Sequence, residues 1–195
     1  MRGLMMDFPL TLDVIVRRAA QFFPNVELVG RRPDRSIHRS TYGAVARRAR
    51  HLAAGLESLG LARGDRVATL AWNNIQHCET YFGVPCGGYV CHTLNLRLHP
   101  DELAWIATNA GDRAIIVDDN LLPLLDKFRS RTPIEHVIVI NHAGGALPAG
   151  AIDFEDVIAR GAARTYEFPQ LDENAAAAMC YTSGTTGKPK GVVYS

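Results

Sequence analysis

Apolar residues along this chain recur at two spacings, and the spacing switches regularly. At Val45, Ala49, Leu52, Leu56 and Leu59 the intervals are three and four, which predicts an amphipathic helix over Thr41 to Leu59. Ser40 or Thr41 stands where a cap belongs, and Gly60 where a helix stops. Leu12, Ile15, Ala19 and Phe22 repeat the pattern over Thr11 to Phe23, ended by Pro24. Between helices lie short apolar runs that read as strands: Val26 to Val29, Val67 to Ala71, Tyr89 to Leu94, Ala114 to Val117, Val137 to Ile140 and Ala175 to Cys180. Helices are also expected over Ile75 to Val84, starting near Asn73 or Asn74, and over Leu121 to Phe128. Another is marked by Phe154, Val157 and Ile158. His99-Pro100-Asp101-Glu102 opens one more, with Leu103, Ile106 and Ala110 facing the core and Gly111 ending it. Strand and helix alternating in this way imply an α/β fold with a mainly parallel sheet flanked by helices.

Five segments add something to this pattern. Asn141 to Gly150, with three glycines and a proline, reads as a surface loop. Arg31-Arg32-Pro33-Asp34-Arg35-Ser36 makes a charged turn, a solvated connection or a binding patch. Arg47, Arg48 and Arg50 fall largely off the apolar stripe of their helix and read as solvated surface. Asp118-Asp119 precedes a helix start, where acids favour the N-terminus, and is expected to cap. Trp72-Asn73-Asn74 follows a strand, near a ligand cleft or as a packing anchor.

Charge narrows the function classes. With 21 basic and 20 acidic residues the net charge is +1, so nothing global attracts nucleic acid or an anionic membrane. No apolar run approaches the roughly 18 residues of a membrane span, and Met1 to Phe8 lacks a signal-peptide core, so a cytoplasmic location is expected. Cys78, Cys86, Cys91 and Cys180 form no Cys-x-x-Cys pair, and with His77 and His92 they miss the usual zinc spacings; no metal site is assigned.

The stretch richest in candidate chemistry is Tyr181-Thr182-Ser183-Gly184-Thr185-Thr186-Gly187-Lys188-Pro189-Lys190-Gly191, between an expected buried strand and the apolar Val192-Val193-Tyr194. Glycines let main-chain amides converge on an anion, and hydroxyls and lysines add donors for phosphate oxygens. The run is not the P-loop of common NTPases. Only two residues separate Gly184 from Gly187, and Pro189 rather than Ser or Thr follows Lys188. Ser183, Thr185, Thr186, Lys188 and Lys190 supply the hydroxyl and cationic donors, and together they make a candidate clamp for a triphosphate tail. In an extended segment both lysines would face the same side.

These eleven residues resemble the signature loop of adenylate-forming enzymes: acyl-CoA synthetases, luciferases and the adenylation domains of peptide synthetases. Leu61-Ala62-Arg63-Gly64-Asp65-Arg66-Val67-Ala68, Tyr81 to Gly88, and Leu94-Asn95-Leu96-Arg97-Leu98 are similar to the front half of bacterial fatty-acyl-CoA synthetases. The resemblance implies ATP, Mg2+ and coenzyme A as reactants and a fatty or other carboxylic acid as substrate; it implies Thr182, Ser183, Gly184, Thr185, Thr186, Gly187, Lys188 and Lys190 as ligands of the ATP phosphates, with Lys190 as the loop's essential lysine. It further implies that residues 1–195 are an incomplete N-terminal AMP-binding domain, with catalytic residues, magnesium ligand, acyl pocket and C-terminal domain downstream. Such a piece is expected to be inactive alone. The alternatives are a stand-alone nucleotide-binding module and another adenylating enzyme, luciferase-like or amino-acid-activating.

Overall fold

A computed structural model describes residues 1, 3–5, 8–182 and 187–195. Helix α1 spans Leu12–Phe22, and a hairpin of β1 (Glu27–Arg31) and β2 (Ile37–Thr41) follows. Next come α2 (Tyr42–Ser58), β3 (Arg66–Leu70), α3 (Ile75–Cys86), β4 (Val90–Thr93), α4 (Pro100–Ala110) and β5 (Asp112–Asp118). The short α5 (Leu122–Leu125), flanked by 3-10 turns, leads to β6 (His136–Ile140), β7 (Ala151–Asp153), α6 (Phe154–Ala162), β8 (Ala178–Thr182) and β9 (Lys190–Tyr194). The expected alternation is present. β2 and β7 lack a sequence signal because each is short and only half-buried or exposed.

The main sheet runs β7-β6-β5-β3-β4-β8-β9, parallel except where β9 turns back antiparallel to β8. From β3 the chain moves out to β4, returns past β3 to β5 and continues to β6, so its winding reverses between β3 and β5. Both faces of the central strands are covered. Ala114, Ile116, Ile138 and Ile140 pack with Leu52, Leu56, Val84 and Phe154 from α2, α3 and α6. Ile115, Val117, Val137 and Val139 pack with Leu103, Ile106, Leu125 and Phe128 on the α4 side. Double coverage explains why these strands are apolar without alternation. β8 is only half-buried and every residue of β9 is exposed, which corrects the expected burial of the strand before the loop.

Local signals explain the helix ends. Thr41 Oγ1 accepts from Ala44 N to cap α2, and Asn74 Oδ1 accepts from His77 N to cap α3. His99 and Glu102 form a reciprocal capping box on α4, and Gly111 closes it in left-handed geometry at φ 69°. On α1, only Val16 is buried; Leu12, Ile15 and Phe22 of the apolar stripe are exposed. The β1–β2 turn places Arg35 at φ 71°, left-handed geometry that costs a non-glycine residue about 1 kcal/mol.

The expected solvation of Arg48 is corrected. Its Nε donates to Glu79 Oε1 at 2.7 Å, while its two terminal nitrogens donate to Glu155 at 2.8 and 2.6 Å, tying α2 to α3 and α6. The Glu79 side chain is 1% exposed. Burial raises its pKa from 4.5 to about 7, partly offset by the Arg48 hydrogen bond. The folded state therefore holds this proton more tightly than the unfolded chain does. Its contribution is fully present below pH 4.5 and is lost as pH rises through about 7. Arg48→Met strands a buried carboxylate and is expected to cost about 3 kcal/mol or more near pH 8. The cost should shrink toward pH 5 as Glu79 takes up a proton. Glu79→Gln, which leaves Arg48 paired with Glu155, should cost less near pH 8. Urea denaturation at both pH values measures this; an Arg48→Met deficit independent of pH would contradict it.

Candidate functional site

The parallel strands end along one edge of the sheet, and so do the segments that carry its chemistry. β8 delivers Tyr181 and Thr182 to that edge, and Thr182 lies opposite Lys190 in the β8–β9 register. β8 and β9 thus pair as the two arms of a hairpin. Of the candidate phosphate ligands, Thr182, Gly187, Lys188 and Lys190 are described and all are exposed, whereas Ser183, Gly184, Thr185 and Thr186 lie outside the described residues. Gly187 takes φ 120°, a conformation that suits glycine.

The base of the hairpin is anchored by residues the sequence did not single out. Tyr181 Oη donates to Asn109 Oδ1 at 2.6 Å. Its ring lies 5.3 Å from that of His92 and meets Trp105 edge to face at 6.1 Å. Lys188 Nζ sits 5.3 Å from the centre of the Trp105 ring. The hairpin is thus fastened at Tyr181 on one arm and at Lys188 on the other. Lys188 lies in a bend and β9 starts only at Lys190, so the extended geometry expected to align the two lysines is missing at Lys188. A Cβ at Gly191 would stand 3.0 Å from the Tyr181 ring, so a larger residue there would press on the ring that anchors the hairpin.

Beneath Tyr181, His92 and Asp112 are fully buried, with Nδ1 of His92 donating to both carboxylate oxygens at 2.8 and 2.9 Å. Burial raises the Asp112 pKa, opposed by this hydrogen bond. His92 Nε2 has no hydrogen-bond partner among the described residues. Neither residue carries a motif. The only signal available was a polar residue at the start of one apolar strand and within another.

A second buried polar group lies at the carboxyl edge itself, at the far end of β5 from Asp112. Asp118, fully buried, accepts from Trp72 N at 2.7 Å and from Asn74 Nδ2 at 2.9 Å, with His142 Nε2 at 3.3 Å. Asp118 makes no helix-capping bond, which corrects that expectation: it joins the ends of β3, β5 and β6 instead. Asp119 does accept a local amide, Asn120 N at 2.7 Å, and also Ala143 N at 2.7 Å.

The family model described as "AMP-binding enzyme" matches residues 16–195. The chain belongs to the AMP-binding enzyme family. It is 43% identical to a long-chain-fatty-acid–CoA ligase of Thermus thermophilus over 98% of its length, which is 34% of that protein. It is 37% identical to a 3-methylmercaptopropionyl-CoA ligase of Ruegeria lacuscaerulensis over its whole length, 37% of that protein. Among solved structures it matches an anthranilate CoA ligase in complex with anthranoyl-AMP, with TM-score 0.82 and 26% identity, covering 99% of this chain and 36% of that one. The chain therefore spans about a third of the length of these relatives.

For this AMP-binding enzyme chain, the hairpin anchor makes a prediction. Tyr181→Phe keeps both ring contacts and loses only the bond to Asn109, costing less than about 1 kcal/mol. Tyr181→Ala also removes the contacts with His92 and Trp105 and should cost about 2 kcal/mol. Urea denaturation of the purified chain compares them. Equal losses would show that the aromatic stack contributes nothing.

Proposed function

We propose that this chain is the amino-terminal portion of an AMP-forming acid–thiol ligase, in which the β8–β9 hairpin grips the phosphates of ATP. The observation that carries this reading is the run Tyr181 to Gly191, set at the carboxyl end of a parallel strand in a member of the AMP-binding family. Relatives named as CoA ligases for acids as different as long-chain fatty acids and 3-methylmercaptopropionate support a carboxylic acid as substrate and coenzyme A as acceptor. We favour a fatty acid.

In the first step an acid carboxylate oxygen attacks the α-phosphorus of ATP, forming acyl-adenylate and releasing pyrophosphate. In the second, the coenzyme A thiol attacks the acyl carbon, giving a thioester and AMP, with the thiol proton leaving to solvent. The hairpin's share is to hold the β- and γ-phosphates and stabilise charge on departing pyrophosphate through hydroxyl, amide and lysine donors. Thr182, Ser183, Gly184, Thr185, Thr186, Gly187, Lys188 and Lys190 are assigned to that role, with Lys190 as the principal cation. No carboxylate occurs from Ala175 to Ser195, so no Mg2+ ligand is assigned to this stretch. Catalytic groups for the acyl transfer are assigned to sequence beyond this chain. A cytoplasmic setting fits four cysteines that are all free thiols.

ATP–pyrophosphate exchange across a panel of carboxylic acids tests the proposal in the protein extended by its downstream reading frame. Lys190→Ala should lower exchange by about 100-fold, and Lys188→Ala by less than about tenfold. The chain alone should give no acid-dependent exchange. Exchange by the chain alone would overturn its assignment as an incomplete unit, and full activity in Lys190→Ala would overturn the phosphate role.

A further inference from the structure

Two segments that the phosphate-loop reading leaves unused come together at the carboxyl edge of the sheet. The β1–β2 turn brings Arg31, Arg32 and Arg35, and the β3–α3 connection brings Trp72. With Pro33 and Asn120 they line a cleft of about 380 Å³. The cleft lies over the reversal between β3 and β5, the place where sheets of this type take up ligands. Trp72 is 45% exposed even though its backbone is fixed on both sides, its amide by buried Asp118 and its carbonyl by His77 Nδ1 at 3.1 Å. A large aromatic side chain is thereby presented to solvent from a rigid support.

The arginines are set for an anion. Among the described residues no carboxylate pairs with Arg31, Arg32 or Arg35; Arg63, Arg97 and Arg160 also lack one, and what sets Arg31, Arg32 and Arg35 apart is that they converge on a single cleft beside an exposed indole. Asp34, the acid on the turn, is engaged by Ser36 through N at 2.9 Å and Oγ at 2.7 Å. Arg35 occupies left-handed backbone geometry that asparagine or glycine would adopt more readily, and strain of this kind points toward function when the side chain has a use. Guanidinium groups bind phosphate oxygens through paired N–H donors, and an exposed indole offers a stacking face to a purine. A phosphorylated purine nucleotide satisfies both. Inorganic phosphate would satisfy only the first.

We propose that this cleft binds a purine nucleotide, its base against Trp72 and its phosphate on Arg31, Arg32 and Arg35, at a site separate from the β8–β9 hairpin. β3 and β8 are two strands apart, about 10 Å, leaving space for both. The 3′-phosphoadenosine end of coenzyme A and the triphosphate of ATP share this chemistry. An assignment to coenzyme A rests on the ligase reading above; the existence of the cleft site does not.

Isothermal titration of the purified chain with adenosine 3′,5′-bisphosphate, coenzyme A, ATP and inorganic phosphate tests the proposal. Nucleotide affinity should fall about tenfold or more in Arg35→Asn and at least as far in the Arg31→Ser/Arg32→Ser double variant, with Arg160→Ser, a surface arginine outside the cleft, unchanged. Arg35→Asn should melt no lower than the parent chain, because asparagine relieves the turn. The double variant supplies the test if the single one does not fold. Tighter binding of the bisphosphate and coenzyme A than of ATP identifies the coenzyme, and the reverse identifies ATP; either supports the site. No nucleotide binding at millimolar concentration, or binding insensitive to all three arginines, would overturn it. Nucleotide binding that depends on Lys190 and not on the three arginines would overturn the cleft site while leaving the ligase reading intact.

Discussion

Burial of a parallel ladder on both faces is the constraint on which this structure depends. Backbone amides and carbonyls of β3, β4, β5 and β6 are satisfied within the sheet, and their side chains are sealed by α2, α3 and α6 on one face and on the α4 side by α4 and α5. Polar chemistry is consequently displaced to the ends of the strands. At the carboxyl edge, where parallel strands leave the sheet together, stand Trp72, Asp118, His142, Thr182 and Lys190. A close crossing supports the covering layer: any side chain at Gly55 or Gly161 would run into backbone, at 2.3 Å from Val157 O and 1.8 Å from His51 O.

Charge that does enter the interior is paired, and each pair joins elements distant in sequence. Arg48 and Glu79 hold α2 to α3, His92 and Asp112 bridge β4 to β5 across β3, and Asp118 gathers the ends of three strands. Buried pairs of this kind contribute little net stability against an apolar replacement, but removing one partner leaves an expensive uncompensated group. They fix which arrangement the elements adopt. His92 and Asp112 matter most for the hairpin, since the Tyr181 ring rests on His92 and the loop begins immediately beyond Tyr181 and Thr182.

Much of this was legible before any coordinates. Helical spacing located α2, Pro100 and Glu102 marked the start of α4, and Gly111 its end, because these signals act within a turn or two of the chain. The glycines of the turn between β8 and β9 are read at the same short range. The errors share a different origin. Arg48 looked like surface because its partners Glu79 and Glu155 lie 31 and 107 residues away. Asp118 looked like a cap because the Trp72 amide that occupies it is 46 residues distant.

The sequence by itself determined where the helices and most of the strands form, β2 and β7 excepted, that the sheet is mainly parallel, and that a polar glycine-rich loop follows one of its strands. Periodicity, caps and turn residues encode these locally. Tertiary structure alone decided that β9 turns back beside β8, that the apolar stripe of α1 stays largely exposed, and that Tyr181, His92, Asp112, Trp105 and Lys188 share one stack. It also decided that an arginine turn from one end of the chain meets Trp72. Those contacts depend on strand order and burial, and no short-range spacing carries either.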